Sequence, residues 1–145
     1  MTDAARTSMD SWHTLVIPSV TESIRDVEEA VAELLEKARF SENAVFAVRL
    51  ALDEALANAI KHGNLYDAAK KVTVRCRIEN DGIKIVVADE GKGFDYDQLP
   101  DPTAPDRLEL PSGRGLLLMN AYMDSVRFND KGNEVTMVKG RGGEK

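Results

Sequence analysis

The sequence predicts an α+β domain, a two-layer sandwich in which a mostly antiparallel sheet carries helices on one face. Three observations carry this expectation. Residues 71–79 alternate strictly, with Val72, Val74, Cys76 and Ile78 on one side, and an Asn80-Asp81-Gly82 turn leads into a second apolar run. Upstream, Ile24, Val27, Val31, Leu34 and Leu35 recur at the spacing that lines one face of a helix. The 145 residues with 43% hydrophobic content fit a single core and leave too little chain for two.

The elements follow in order. Residues 1–11 read as a leader and 141–145 as a tail around one domain at 12–140. A short edge strand at 13–20 ends near Pro18, because proline removes a ladder donor. The first helix covers 22–38. Ser41 caps a second that runs to His62, where Gly63 supplies the stop. The hairpin strands are 71–79 and 83–89. Residues 94–112 show no period and hold four of the five prolines, which reads as a functional lid rather than an ordinary connection. A short helix at about 115–122 and two strands, 125–128 and 134–139, complete the domain.

Composition excludes several function classes. No window approaches the roughly 20 continuous apolar residues of a bilayer span, and the first residues carry no apolar secretory stretch, so a cytoplasmic protein is expected. A single cysteine excludes an internal disulfide and a cysteine zinc site. A formal charge of −6 disfavours direct binding to nucleic acid or an anionic membrane. It leaves room for a nucleotide, whose phosphates backbone N–H groups and Mg²⁺ can neutralise locally.

Three short patterns carry chemistry. On the second helix Val45, Val48, Leu52, Leu56 and Ala59 form the apolar stripe, while Ala47, Ala51, Glu54 and Asn58 fall on nearly the opposite side. Small residues there lead up to a carboxylate and an amide one turn apart. That lets something approach the helix closely and meet the two polar groups, although Glu54 and Asn58 taken alone read as a solvated helix face. In the second hairpin strand Asp89 continues the inward row of Ile83, Ile85 and Val87, and Gly91 and Gly93 follow at once. Beyond the proline-rich segment, Gly113-Arg114-Gly115 precedes the apolar run Leu116-Leu117-Leu118-Met119, and a glycine-rich helix start offers N–H groups to an anion.

In this order the three patterns resemble the N box and two glycine boxes of the GHKL (Bergerat, histidine-kinase-like) ATP-binding fold, over about residues 12–140. The strings NAIKHG, DEGKGF and GRGLLLMNAYMD in a short chain are most similar to the anti-sigma-factor serine/threonine kinases. The resemblance implies ATP and Mg²⁺ as cofactors. It implies that Asn58 holds Mg²⁺, that Asp89 accepts a hydrogen bond from the adenine amino group, and that Gly91 and Gly93 give the base and lid a close fit. It further implies that Gly113, Arg114, Gly115 and Leu116 hold phosphates and that Glu54 is the general base toward a serine or threonine hydroxyl. The implied partners are an anti-anti-sigma protein of the STAS type, which is phosphorylated, and a sigma factor, which is sequestered. The edge strand at 13–20 offers a surface for a homodimer. The sequence departs from the family in its last turn, where Asn133 and Glu134 follow Gly132 in place of a threonine. A histidine-kinase reading fails for want of a helix hairpin bearing a phosphoacceptor histidine. The remaining alternative is a nucleotide-dependent binding protein without phosphotransfer, against which Glu54 argues.

Overall fold

The computed structural model describes residues 12–92 and 113–142, with backbone alone for 113–116. The expected leader, the expected lid with Gly93, and residues 143–145 lie outside these. The elements are β1 (His13–Pro18), α1 (Glu22–Lys37), α2 (Glu42–Asn58), β2 (Lys71–Glu79), β3 (Gly82–Ala88), α3 (Gly113–Tyr122), β4 (Ser125–Phe128) and β5 (Glu134–Gly140).

The strands form one sheet in the order β1-β2-β3-β5-β4, and every neighbouring pair is antiparallel. Period-two alternation explains the register. Leu15 stands opposite Val74, Cys76 opposite Ile85, Val87 opposite Val135 and Ile85 opposite Met137, so the apolar positions of all strands reach the same face. A slip of one residue would turn that row to the opposite face. The helices bury their apolar sides against it in a core that includes Val27, Val31, Leu35, Val48, Leu52, Leu56 and Ile60. Ser41 caps α2 as expected, its Oγ accepting from the Ala44 N–H at 3.0 Å.

Three points separate the structure from the simplest readings of the sequence. Ala47 and Ala51 are buried, as is Ala55, so the small residues on the second face of α2 meet a close neighbour and not solvent. Methyl side chains let α3 pack closely there, and Met119 of α3 and Met123 just after its end are buried in turn. Second, α3 begins at Gly113, so Gly113 and Gly115 lie inside its first turn rather than ahead of it. Its first N–H groups have no partner within the helix, which is the feature an anion needs.

The third point corrects the reading of the end of α2. The α-helical pattern stops at Asn58 and a π-turn occupies Ala59–Gly63, with the Asn64 N–H donating five residues back to the Ala59 carbonyl at 2.8 Å. Leu65 and Tyr66 then adopt left-handed backbone conformations, with φ of 54° and 61°. The chain leaves the helix by a wide turn and two strained residues, where an ordinary glycine stop was expected.

The far end of the sheet is tied by Arg141, a residue placed by sequence in the tail. Its guanidinium donates to the carbonyls of Ala38, Asn80 at 2.8 Å and Glu79 at 3.1 Å, and lies 4.8 Å from the centre of the Phe40 ring. One side chain thereby joins the end of α1 to the β2–β3 turn. Arg141→Ala is expected to lower stability by about 1–3 kcal/mol, since charged hydrogen bonds to backbone are lost together with the ring contact. Urea denaturation followed by circular dichroism measures it, and an unchanged midpoint would refute the tie.

Candidate functional site

The site starts from the inner row of β3. Alternation carries that row past the strand end to Asp89, so a carboxylate is delivered into apolar surroundings. Burial raises its pKa, opposed by the Gly91 N–H and the charge of Lys70. Asp89 Oδ1 accepts from the Gly91 N–H at 2.7 Å, and the Asp89 N–H donates to the Asn133 carbonyl at 2.9 Å. The carboxylate is therefore held in place, not free to turn with the loop.

One cleft brings Asp89 together with Asn58. Ala55, Val87, Met119 and Phe128 supply apolar wall, and Asn133 stands at the same cleft. Asn58 Nδ2 is buried and has no hydrogen-bond partner among the described residues. An orphaned amide at this depth costs about 1–3 kcal/mol unless a ligand satisfies it. Rotating the amide half a turn exchanges its oxygen and nitrogen, so the same position can present an oxygen to a cation.

The floor of the site is a backbone crossing that the sequence does not announce. A Cβ at Gly63 would stand 2.3 Å from the Asp89 carboxylate, and one at Gly91 would stand 2.0 Å from the Gly63 carbonyl oxygen. Only glycine fits at either place, so Gly63 is required for close approach and not as a helix stop. Next to it Asn64 is fully buried. Its Nδ2 donates to Ser19 Oγ at 2.7 Å and to the Lys71 carbonyl at 3.0 Å, while its Oδ1 accepts from the Glu90 N–H at 2.8 Å.

The family profile described as the histidine kinase-like ATPase domain matches residues 17–139. The chain belongs to the histidine kinase-like ATPase domain family. Among relatives of this ATPase domain, the serine-protein kinase RsbW of Bacillus subtilis is 29% identical over 137 residues, covering 89% of this chain and 85% of the relative. The anti-sigma F factor of Oceanobacillus iheyensis is 30% identical over 136 residues, covering 90% and 93%. The RsbW of Bacillus velezensis is 29% identical over 147 residues, covering 96% and 91%.

The ATPase domain gathers some of the expected site residues and leaves others apart. Asn58, Asp89 and Gly91 meet at the cleft and its floor. Gly113, Arg114, Gly115 and Leu116 form the first turn of α3, whose Met119 lines the cleft. Glu54 lies one turn before Asn58 on α2, half-buried and outside the cleft lining. Its pKa is raised by burial and then by the charge of Asp53, with Lys61 opposing. Gly63, Asn64 and Asn133 are the residues that sequence reasoning missed. The departure after Gly132 was the only signal toward Asn133.

A carboxyl pair flanks Glu54 on the outer side of α2. Glu28 of α1 hydrogen-bonds to Asp53, and its pKa is raised to about 7 by burial and by Asp53, against the charges of Arg49 and Arg25. A raised folded-state pKa means that the folded protein holds this proton more tightly than the unfolded chain does. The stabilisation is fully present below the ordinary value of 4.5 and is lost as pH rises through about 7. Between pH 5 and 8, Glu28→Gln should therefore gain about 1–2 kcal/mol relative to the parent chain. Urea unfolding at the two pH values measures it, and parallel curves would refute the pairing.

The backbone crossing gives a second test. Gly63→Ala should cost about 1–3 kcal/mol from overpacking and weaken ATP binding at least about 10-fold, because Asp89 must move. Calorimetric titration with ATP decides, and wild-type affinity would show that Asp89 has no part in the site.

Proposed function

We propose that this chain is a serine/threonine protein kinase that acts as an anti-sigma factor, using ATP to phosphorylate a small anti-anti-sigma partner. The observation that carries the reading is the meeting of the orphaned Asn58 amide and the half-buried Asp89 carboxylate in one apolar-walled cleft, with Glu54 one helical turn away. Family membership supplies the use of ATP, and the relatives named as serine-protein kinases and as an anti-sigma factor supply the reaction class.

Asp89 is the acceptor for the exocyclic amine of adenine, and the cleft walls cover the faces of the base. Burial around Asp89 suits this, since a hydrogen bond to a carboxylate gains strength away from water. Gly91, with Gly93, shapes the adenine end, and the first turn of α3 from Gly113 through Arg114 and Gly115 to Leu116 presents N–H groups to the phosphates. Asn58 would hold Mg²⁺. Among the described residues no group of three or more His, Cys, Asp or Glu is placed to hold a metal ion, and a single amide oxygen suits a cation that draws its other ligands from phosphate and water. When bound, the ion neutralises charge on the phosphates.

Glu54 takes the proton from the incoming serine or threonine hydroxyl. The hydroxyl oxygen forms its bond to the γ-phosphorus as the bond to the β–γ bridging oxygen breaks and ADP leaves. A carboxylate whose pKa is raised by burial is a better base than an exposed one, so the environment of Glu54 serves the reaction. The anti-anti-sigma partner, of the STAS type, leaves when phosphate is added, because new negative charge on its contact surface meets a protein of formal charge −6. The freed chain then captures a sigma factor. The exposed edge strand β1 is the surface proposed for a homodimer. Among the described residues no helix is long and apolar enough to cross a membrane, and a cytoplasmic location belongs to this reading.

Glu54→Gln should bind ATP as the wild type does and lose about 10²- to 10⁴-fold in phosphotransfer, the span that a positioned base contributes. Radiolabelled ATP and the partner copurified from the native cell provide the assay. Transfer at the wild-type rate would remove Glu54 from the mechanism, and a partner that accepts no phosphate would leave a nucleotide-dependent binding protein instead.

A further inference from the structure

Asn64 has five polar commitments and no exposure, one of them its carbonyl, which accepts from the Asp67 N–H at 2.9 Å. Its two side-chain donors go to Ser19 Oγ and the Lys71 carbonyl, its side-chain acceptor serves the Glu90 N–H, and its own N–H closes the π-turn onto the Ala59 carbonyl. Ser19 Oγ donates in turn to the Lys70 carbonyl at 2.7 Å, and Glu90 Oε1 accepts from the Lys71 N–H at 3.1 Å. The end of β1, the start of β2 and the loop after β3 are thus held to one buried amide.

This arrangement is costly. The π-turn ends at the residue before Asn64, the left-handed Leu65 and Tyr66 follow it, and its neighbour Gly63 makes the glycine-only crossing with Gly91. Left-handed non-glycine residues cost about 1–3 kcal/mol each, and such strain concentrates where a site must be held. Leu65 and Tyr66 add nothing to the core, being 72% and 57% exposed. What the strained turn achieves is the placement of Asn64 Oδ1 on the Glu90 N–H, one residue beyond Asp89. Asp89 is then fixed from both sides: its own N–H is taken by the Asn133 carbonyl, and the next N–H by Asn64.

We propose that Asn64 is the positioning residue for Asp89 and thereby sets the preference of the site for adenine over guanine nucleotides. The inference rests on the ATP reading above and deepens it. A carboxylate distinguishes a 6-amino group from a 6-oxo group only while an oxygen faces that edge of the base, because the amine donates and the carbonyl repels. Without Asn64 the Glu90 N–H loses its acceptor, and the bonds at Gly91, Asn133 and Lys71 alone hold the turn less firmly, so the carboxylate loses aim while the phosphate contacts remain. The effect of losing Asn64 therefore falls on the base and not on the rest of the nucleotide.

The test uses the full chain and calorimetric titration with Mg-ATP and Mg-GTP. Asn64→Ala should raise the Kd for ATP about 10-fold and leave that for GTP within about 2-fold, so that the selectivity ratio collapses. Ser19→Ala removes one of the two donors' partners and leaves the Glu90 bond, so its ratio should fall by a smaller factor of about 3. A merely structural role would lower the melting temperature of both variants and leave the ratio in the folded protein unchanged, and that result would overturn the proposal. Should Asn64→Ala fail to fold, Ser19→Ala decides on the same ratio. A wild-type chain that binds ATP no better than GTP would instead strike down the adenine reading of Asp89, and the role of Asn64 with it.

Discussion

Two backbones cross at Gly63 and Gly91 with no room for a side chain on either, and the architecture of the site follows from that contact. For the loop after β3 to lie against the end of α2, the helix must present a glycine at that angle. A regular α-helix would carry residue 63 through a different rotation, and the π-turn at Ala59–Gly63 supplies the change. The left-handed pair that follows brings the chain back toward β2, and the buried Asn64 amide pays for the strain through its hydrogen bonds. Asp89 lies directly against this crossing, and Asn58, from a distant part of the chain, ends the helix that leads into it.

The sheet and helices place the same two residues from the other direction. Side-chain alternation along β3 puts Asp89 on the face of Ile83, Ile85 and Val87, and the four-residue step from Glu54 to Asn58 keeps them one turn apart on α2. A packed core behind them limits how far either can drift. Ala51 and Ala55 allow α3 to approach, so that a helix whose first turn holds the glycine pair shares a wall with the cleft. Small side chains on α2 therefore serve the site although they touch no chemistry.

Much of this was legible before the structure. The strands were readable almost to the residue because one face of each is buried, and a period of two has no competitor over nine residues such as 71–79. Asp89 was visible because it breaks that period with a charge. The second face of α2 stayed open between two readings because alanine suits both an exposed face and a tight helix contact, and spacing cannot tell them apart. The π-turn was invisible, since a difference between 3.6 and 4.4 residues per turn leaves no mark over five positions. Asn64 was missed for another reason: a buried amide has no periodic signature, and its partners at residues 19, 71 and 90 are brought to it only by folding.

The lone cysteine has a use that its burial creates. Cys76 sits at the middle of β2, between His13 on β1 and Ile85 on β3, and burial pushes its thiol up to about 11. A thiol so protonated and so enclosed is nearly inert toward alkylating reagents at neutral pH. It becomes reactive only when the sheet parts from the helices, and the chain has no second thiol to confuse the signal. The rate of its alkylation is thus a clock of core opening written into the native sequence, readable in crude extract by mass and without any engineered label.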